Sequence, residues 1–555
     1  MTEKGSQNPG AANVQTHRPQ PCLQVLLAGS GLAIFLLVYG INACYNYSIK
    51  MSGDEYQYLK SAKALLHGSF TIDNHAFSIL KRQFPDMAGR FSCFVINPSG
   101  NLVSYYSEGV ALFFAPLIAL FGHYVFMATP ILCDLTAMIC LFFLTLLYCK
   151  DHDMRYGPAF ALLCVSVYGW VIDFHLGIRR DVIGAVLVMV ISLLVMTGSR
   201  KKKWLYWQSA IALMTFLFTI KVSYGLLYIP LSLILFTEMK GKFGRPRLLL
   251  FQALLAGIIS AAILAPFFLQ NAASTGHWYL VSQSSEASSF VPYEGKGGSW
   301  TGWLVMNLVH MARAQSHVYA LKGTPAWTAV AFAAFAAFGL WKERKSVIVR
   351  FWIAPILAMF YGLYAFTDRT PNIFNLYLAP TYYLAVFLFV LGLWRAMMPL
   401  LRQELILALA LSLTLGPFLA LKTFRIFPGH RHANFRVIEA HSLVADISAV
   451  VPPGGILLCD KYLSTVIDYF SPVQSFPAAD LKGGKSDEAA KIGFLIGGGI
   501  GIYFCDYEGY DFCSYYKPYL QSHFRLNLVK SGQQLYNFSG PANNVSCNVY
   551  RVLFR

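Results

Sequence analysis

The sequence predicts an α-helical polytopic membrane protein with about eleven transmembrane helices and a small C-terminal α/β domain on the extracytoplasmic side. Three observations predict this class. Of the 555 residues, 56% are hydrophobic and 13% are charged, and the mean hydropathy of +0.50 excludes a water-soluble globular protein. Runs of roughly 20 apolar residues recur as far as Leu421, each long enough to cross ~30 Å of hydrocarbon. Basic residues cluster between these runs, as they do in cytoplasmic loops.

The positive-inside rule fixes the predicted number of crossings. With the N-terminus in the cytoplasm, about eleven crossings place every basic short loop on the cytoplasmic side. Adding the apolar stretch 110–121 as a crossing would move Lys201–Lys203 outside, so that stretch is predicted to lie along the outer interface. The predicted spans are 23–43, 125–149, 157–176, 181–198, 204–220, 222–239, 248–269, 326–341, 347–366, 374–394 and 403–421.

The polar parts of the chain complete the predicted domain organisation. Residues 1–22 form a disordered cytoplasmic tail, and residues 23–422 form the membrane domain with outward loops 44–124 and 270–325. Residues 423–555 form the extracytoplasmic α/β domain. There PPGGILLCD, KIGFLIGGGIGIYFCD and NVYRVLF are predicted as strands and FRVIEAHSLVADISAV as a helix.

Charge and glycine patterns exclude two other functions. The net charge of +17 does not indicate a nucleic-acid-binding protein, because Lys and Arg lie in short clusters between apolar spans. GGGIG is a turn between strands rather than a nucleotide loop, because neither Lys-Ser/Thr nor full GxGxxG spacing accompanies it.

The eleven cysteines do not show metal-site spacing. Six of them lie in the segments predicted to face outward, where one or two disulfides are expected. The sequence leaves the pairing open. These six are Cys44, Cys93, Cys459, Cys505, Cys513 and Cys547.

Asp54 and Glu55 open a predicted amphipathic helix directly after the first apolar run, in KMSGDEYQYLKSAKALLHG. Acidic residues at a helix N-terminus interact favourably with the helix dipole, which is one interpretation of the pair. The other is catalytic, because a carboxylate at the outer membrane surface can accept the proton of an attacking hydroxyl group.

Charged residues from distant segments meet the same predicted membrane face. They are Arg179, Arg180 and Asp181 in DFHLGIRRDVIG, Lys221 in LFTIKVSYG and Arg369 in FTDRTPN. Such charges are unfavourable in so apolar a chain unless they are solvated or paired. Snorkelling cations, with Asp181 as a helix cap, are one explanation. A phosphate group bound at the interface is the other, because guanidinium and ammonium groups stabilise a phosphate leaving group.

These segments resemble motifs of the GT-C membrane glycosyltransferases, specifically relatives of the protein O-mannosyltransferases and lipid A aminoarabinose transferases. SGDEYQYLKSAKALLHGSFTIDN is similar to their first-loop motif of Gly-Asp-Glu, an aromatic residue and Tyr-Leu. The family's Tyr-Pro-Pro-Gly-Leu segment is similar to LVSYYSEGVALFFAPLIALFG. Its Arg-rich turn is similar to GIRRDVIGAVLVMV, and its Thr-Lys hairpin is similar to TIKVSYGLLYIP. NLYLAPTYYLAVFLFV is similar to the late Arg-Tyr-Leu-Leu-Pro span. The likeness runs in order through most of residues 23–400.

The resemblance implies transfer of a sugar from a polyprenyl- or dolichyl-phosphate carrier to a glycan, lipid or protein acceptor on the non-cytoplasmic face. Asp54 would be the general base of an inverting reaction, with Glu55 or Asp181 orienting. The donor and its phosphate would be bound by basic and polar residues of the other motifs: Arg179, Arg180, Lys221, Arg369, Tyr106 and Glu108.

Two departures from the family pattern concern the phosphate site. Ser107-Glu108 stands where relatives carry Pro-Pro or Lys-Pro, so a phosphate-binding lysine is missing there. Asn375-Leu376 replaces the expected Arg before Tyr377, so that head-group contact depends on Arg369.

The predicted reaction does not require a cofactor, because basic residues can neutralise the phosphate. A divalent metal near the paired carboxylates stays open as an alternative. The predicted setting is a multi-pass protein of a bacterial inner membrane or an equivalent membrane, with membrane lipid as a partner and no nucleic acid. The rival functions are a secondary transporter, for which the expected repeat is not evident, and a non-catalytic lipid-glycan-binding subunit.

Overall fold

The computed structural model describes residues 53–275 and 327–555, apart from internal gaps. The gaps are 73–74, 86–89, 92–93, 97–101, 105–107, 155, 172–179, 202, 222–223, 225–231, 233–235, 238–245, 352–378, 402, 405, 408–409, 412–436, 478–480, 482–486, 508–510 and 533–546. The predicted tail 1–22, the span 23–43 and most of the spans 222–239, 347–366 and 403–421 therefore lie outside the described residues.

The segment that follows residue 52 contains two helices and a small antiparallel sheet. Helix α1 (Gly53–Leu66) begins at the predicted position, where Asp54 and Glu55 favour an N-terminal end. The next elements are β1 (Thr71–Ile72), α2 (His75–Gln83), β2 (Arg90–Phe91), β3 (Phe94–Ile96) and β4 (Leu102–Ser104). The strands pair in the order β1-β4-β3-β2, so β4 returns beside β1.

Helix α3 (Glu108–Phe121) covers the apolar stretch that the sequence places along the outer interface. Its 14 residues extend about 21 Å at 1.5 Å per residue. That length is too short to cross ~30 Å of hydrocarbon. The position of this helix relative to the membrane stays a prediction.

Seven apolar helices coincide with predicted spans. They are α4 (Val125–Asp151), α5 (Gly157–Val171), α6 (Arg180–Lys201), α7 (Trp204–Ile220), α8 (Pro246–Thr275), α9 (Trp327–Lys342) and α10 (Ala379–Leu401). Among the described residues, four stretches are long and apolar enough to cross a membrane: 128–151, 180–201, 246–272 and 383–400. The chain is therefore an integral membrane protein, and the total of about eleven crossings stays a prediction.

Close backbone contact joins α9 to α10. A Cβ atom at Gly392 would overlap the carbonyl group of Phe335, and one at Gly339 would overlap that of Leu388. Small residues allow such contact between membrane helices, where van der Waals packing drives association.

Helix α8, in contrast, has few buried residues: only 6% of its most apolar stretch is buried in the protein. It meets α7 through two polar contacts: Gln208 Nε2 donates to Gln252 Oε1 at 2.9 Å, and the hydroxyl groups of Thr215 and Ser260 are 3.0 Å apart. Most of its other apolar side chains are exposed or half-buried in the part of the protein that the structure describes.

The C-terminal part of the chain contains a five-stranded sheet covered by helices. Its elements are α11 (Val437–Ser448), β5 (Ile456–Cys459), α12 (Lys461–Phe470), β6 (Gln474–Pro477), α13 (Glu488–Gly497), β7 (Ile502–Tyr507), α14 (Asp511–His523), β8 (Arg525–Ser531) and β9 (Cys547–Leu553). The strand order is β6-β5-β7-β9-β8, with β6, β5 and β7 parallel and β9 and β8 antiparallel. The predicted domain boundary at residue 423 lies outside the described residues.

One predicted strand is wrong in its first half. Lys491–Gly497 belong to helix α13, and the strand begins only at Ile502. Ile492 and Leu495 are both buried, and their spacing of three places them on one face of a helix. Gly499, with φ of +79°, makes the turn between the helix and the strand.

Aromatic side chains join the first loop to the C-terminal sheet. Phe77 of α2 stacks on Phe476 of β6 with ring centroids 6.0 Å apart. Nearer the start of the loop, the rings of Tyr56 of α1 and Tyr469 of α12 have centroids 6.2 Å apart. Lys63 Nζ also donates to the carbonyl oxygen of Tyr469 at 3.2 Å. Helix α1 is thus held between the apolar helices and the C-terminal sheet.

Candidate active site

The structure describes the side chains of five of the nine predicted site residues: Glu55, Glu108, Arg180, Asp181 and Lys221. None of the five is more than 7% exposed. Asp54 is in the first turn of α1, but its side chain lies outside what the structure describes. Tyr106, Arg179 and Arg369 lie outside the described residues as well. Ionisable groups buried in so apolar a chain require pairing or a ligand.

An ion pair joins Asp181 and Lys221 across the α6–α7 hairpin. Helix α6 begins at Arg180 and α7 ends at Ile220, so both residues lie at the same end of the hairpin. Lys221 Nζ donates to Asp181 Oδ1 at 2.6 Å, and the lysine and aspartate side chains are only 6% and 10% exposed. Both positions suit the helix dipoles, which favour a carboxylate at an N-terminus and an ammonium group at a C-terminus. The pair fixes the position of the lysine.

Arg180 adds a second buried cation next to Asp181 in the chain. Guanidinium and ammonium groups in a water-poor environment favour an anion such as phosphate, which both cations can bind by charge-assisted hydrogen bonds.

Helix α3 brings Glu108 toward the end of α7. A Cβ atom at the neighbouring Gly109 would overlap Thr219, which lies two residues before Lys221. Glu108 is 5% exposed, and neither of its carboxylate oxygens has a hydrogen-bond partner in the described part of the chain. Burial raises the pKa of its carboxyl group to about 7. Near neutral pH this group can therefore either donate or accept a hydrogen bond.

Tyr224 is a site residue that the sequence did not predict. Its N–H donates to the carbonyl oxygen of Lys221 at 3.0 Å, and its side chain lies against Gly184 of α6. A Cβ atom at Gly184 would overlap the Tyr224 ring. A possible sequence signal was a glycine three residues after Asp181 together with an aromatic residue three residues after Lys221. Such a pair is too common to have identified the contact.

Helix α1 approaches this cluster through α3, which packs against both α1 and α7. Glu55 is fully buried in the first turn of α1. The next residue, Tyr56, contacts Phe126 of α4 with ring centroids 5.6 Å apart. The turn that carries Asp54 and Glu55 is therefore held by packing.

Among the described residues, His, Cys, Asp and Glu side chains do not form a group of three or more suited to a metal ion. The prediction about metal dependence is unaffected, because Asp54 is among the side chains that the structure does not describe.

The fold resembles those of two solved membrane transferases. ArnT from Cupriavidus metallidurans, bound to undecaprenyl phosphate, matches with a TM-score of 0.55 and 11% identity over 95% of this chain and 98% of that chain. The Archaeoglobus fulgidus oligosaccharyltransferase, tethered to an acceptor peptide with an NVT sequon, matches with a TM-score of 0.50 and 11% identity over 92% and 74% of the two chains. Neither a family model nor a curated protein sequence matches the chain. At this identity the likeness shows the fold alone. At the level of fold, it confirms the resemblance to the GT-C proteins that the sequence motifs indicated.

Proposed function

We propose that this chain is a glycosyltransferase that moves a sugar from a polyprenyl- or dolichyl-phosphate carrier to a glycan, lipid or protein acceptor on the non-cytoplasmic membrane face. The observation that carries the proposal is the buried Asp181–Lys221 ion pair next to Arg180, at one end of the apolar helices of a GT-C fold. The undecaprenyl phosphate bound to ArnT supports a carrier of this class.

Arg180 and Lys221 bind the phosphate group of the carrier, with Arg179 and Arg369 as further contacts. Their positive charge stabilises the phosphate as it leaves, which is where charge develops in the transition state. Asp181 orients Lys221, because their 2.6 Å contact fixes the ammonium group before the donor enters. These basic groups can offset the phosphate charge, so we propose that a metal ion is not required.

Asp54 acts as the general base. It accepts the proton of an acceptor hydroxyl group as that oxygen attacks the anomeric carbon of the sugar. The bond from the same carbon to the phosphate oxygen breaks, and its electron pair leaves with the carrier phosphate. Attack opposite the leaving group inverts the configuration of the sugar. Glu55, buried one residue further along, orients this turn of α1.

Glu108 and Tyr106 contact the sugar rather than the phosphate. An ionised carboxylate would repel the phosphate, whereas a carboxyl group with a pKa of about 7 can exchange hydrogen bonds with sugar hydroxyl or amino groups. This assignment fits the absence of the family's lysine at this position.

The test is donor consumption by the purified protein, offered a panel of lipid-phosphate sugars together with candidate acceptors. We expect one donor to be consumed with release of the free lipid phosphate. Asp54→Asn should reduce turnover by about 10²-fold or more, because it removes the base while keeping its shape. Carrier affinity should stay near that of the wild type.

Glu55→Gln, which changes the other carboxylate of the same turn, is the comparison variant. Full turnover in Asp54→Asn with loss in Glu55→Gln would reverse the two roles. Binding of the carrier without consumption of any donor would instead identify a non-catalytic lipid-glycan-binding subunit. Turnover that survives chelation of divalent metals would support the metal-free mechanism.

A further inference from the structure

Two cysteines of the C-terminal sheet lie close together on adjacent strands. Cys505 of β7 and Cys547 of β9 are 0% and 6% exposed, and their Sγ atoms are 2.8 Å apart. We propose that Cys505 and Cys547 form a disulfide in the mature protein, which makes them a modification site that joins the last strand of the chain to the centre of the sheet. This inference is independent of the proposed transferase activity.

The strand register explains why the two thiols meet. Cys505 pairs with Val549, and Tyr507 pairs with Cys547, so the two cysteines are diagonal neighbours across the antiparallel pair. Side chains two residues apart on a strand point to the same face of the sheet. Diagonal neighbours on one face are usually linked only by longer side chains, but here the two sulfurs are already 2.8 Å apart. A bonded pair of sulfurs is about 2.0 Å apart, so a further approach of about 0.8 Å would bring these two to bonding distance.

The other two cysteines of the sheet region are less suited to this bond. The Cys513 thiol, at the start of α14, donates to the backbone carbonyl oxygen of Cys505 at 3.8 Å. Cys459 lies on β5, on the opposite side of β7 from β9. Among the four of these cysteines that the structure describes, the geometry thus favours the Cys505–Cys547 pairing.

Formation of the disulfide is an oxidation that needs an electron acceptor. An oxidised dithiol–disulfide oxidoreductase of the compartment can supply its own S–S bond for exchange. The Cys505 and Cys547 thiols lose two protons and two electrons, the new S–S bond forms, and the acceptor's disulfide becomes two thiols. Burial, followed by the hydrogen bond with Cys547, raises the pKa of the Cys505 thiol well above its usual value. Because the thiolate is the reactive form, oxidation should precede the burial of these strands during folding.

The bond would join the start of β9 to β7, beside the end of β8. Gly532, directly after β8, donates its N–H to the carbonyl oxygen of Cys547 at 2.8 Å. The end of β8 and the start of β9 are therefore paired next to the proposed bond. The disulfide would hold β9, and with it the edge strand β8, against β7.

The test is peptide mapping of the full-length wild-type protein, with free thiols trapped by N-ethylmaleimide during extraction from the membrane. Proteases that cleave after acidic and basic residues can separate Cys505 from Cys513, because Asp506, Glu508 and Asp511 lie between them. We expect a linked pair of peptides that carry Cys505 and Cys547 and that separates on reduction. Cys513 should carry maleimide once the protein is denatured.

Two variants complete the test. Cys547→Ser should abolish the linked peptides and leave Cys505 open to maleimide after denaturation, whereas the matched control Cys513→Ser should keep the link. Free Cys505 and Cys547 thiols in the wild-type protein would overturn the proposal, as would a bond from Cys505 to Cys513 or Cys459. Because mapping needs no activity, a failed disulfide with intact donor consumption would leave the proposed transferase standing.

Discussion

At the scale of single residues, the Asp181–Lys221 pair combines a structural role with the proposed phosphate role. Removing one partner of a buried ion pair leaves an uncompensated charge and typically costs about 3–5 kcal/mol. Lys221→Ala alone would therefore confuse loss of binding with loss of stability. The sequence predicted a carrier-binding lysine here, but it did not predict that the lysine is paired in the unbound protein.

A double variant separates the two roles. We expect Asp181→Leu with Lys221→Met to recover most of the stability lost in Lys221→Met alone, because both charges are then removed. Carrier affinity should stay low in the double variant, because the ammonium group that binds phosphate is absent. Thermal unfolding in detergent and binding of a lipid phosphate are the two measurements. Wild-type affinity in the stable double variant would show that Lys221 is only structural.

Glu108 predicts a pH dependence of stability. Burial raises the pKa of its carboxyl group from 4.5 to about 7, so the folded state prefers the neutral form. The contribution of this group to the free energy of unfolding is therefore fully present below pH 4.5. It is lost as the pH rises through about 7, because the carboxyl group must then ionise in a buried position. The shift corresponds to about 3 kcal/mol at 1.36 kcal/mol per pKa unit.

Glu108→Gln should therefore be more stable than the wild type at pH 8 and close to it near pH 4.5. Thermal unfolding at both pH values measures the difference. Asp446→Asn, which changes an exposed carboxylate paired with Lys530, is the matched control and should not alter the pH dependence in this way. If the wild type and Glu108→Gln are equally stable at both pH values, the prediction is wrong.

At the scale of elements, the contact between α1 and α12 is expected to position the proposed base. Tyr56 follows Asp54 by two residues and contacts Phe470 of α12 with ring centroids 6.4 Å apart. We expect Phe470→Ala to lower turnover several-fold with little change in carrier affinity, because the proposed base loses alignment while the phosphate site is intact.

Phe494→Ala is the matched control for this prediction. Phe494 of α13 makes a similar edge contact with Phe84, which follows α2, at 5.7 Å. That contact also joins the first loop to the C-terminal sheet, but it involves neither α1 nor α12. Equal turnover losses in the two variants, measured as steady-state donor consumption, would indicate general destabilisation instead of positioning.

Comparison of the predicted helices and strands with the observed ones shows which elements the sequence could predict. The apolar runs predicted α4 to α10 because hydrocarbon imposes a length and a composition on any helix that crosses it. The helical first half of KIGFLIGGGIGIYFCD was misassigned, because a short apolar run fits a strand and a buried helix equally well. Tyr224 against Gly184 and Tyr56 against Tyr469 could not be predicted, because they depend on how separate helices pack. Charge patterns singled out most of the site residues, the resemblance added Tyr106 and Glu108, and the structure supplied the Asp181–Lys221 contact.

At the scale of the whole molecule, the predicted topology places the C-terminal sheet and the α6–α7 loop on opposite sides of the membrane. Ser522, at the end of α14, and Lys203, just before α7, are both exposed. We expect an impermeant maleimide added to intact cells to label Ser522→Cys and to spare Lys203→Cys. The reason is that the basic residues around Lys203 favour the cytoplasm.

The native thiols make this experiment practical. All eight cysteines in the described part of the chain are buried, so only Cys22, Cys44 and Cys93 need replacement by Ser in the background protein. That background should stay unlabelled, and permeabilised cells should label both single-cysteine variants. Labelling of Lys203→Cys in intact cells would overturn the topology.

The exposure of helix α8 has a consequence for how this chain can diverge. Leu250, Phe251, Leu254 and Ile258 are each more than half exposed, and lipid demands only that such positions be apolar. Selection then acts on their hydropathy and hardly on their identity, so one apolar residue can replace another over many generations without loss of fold. A protein with such surfaces can retain its architecture while its sequence drifts away from those of its structural neighbours.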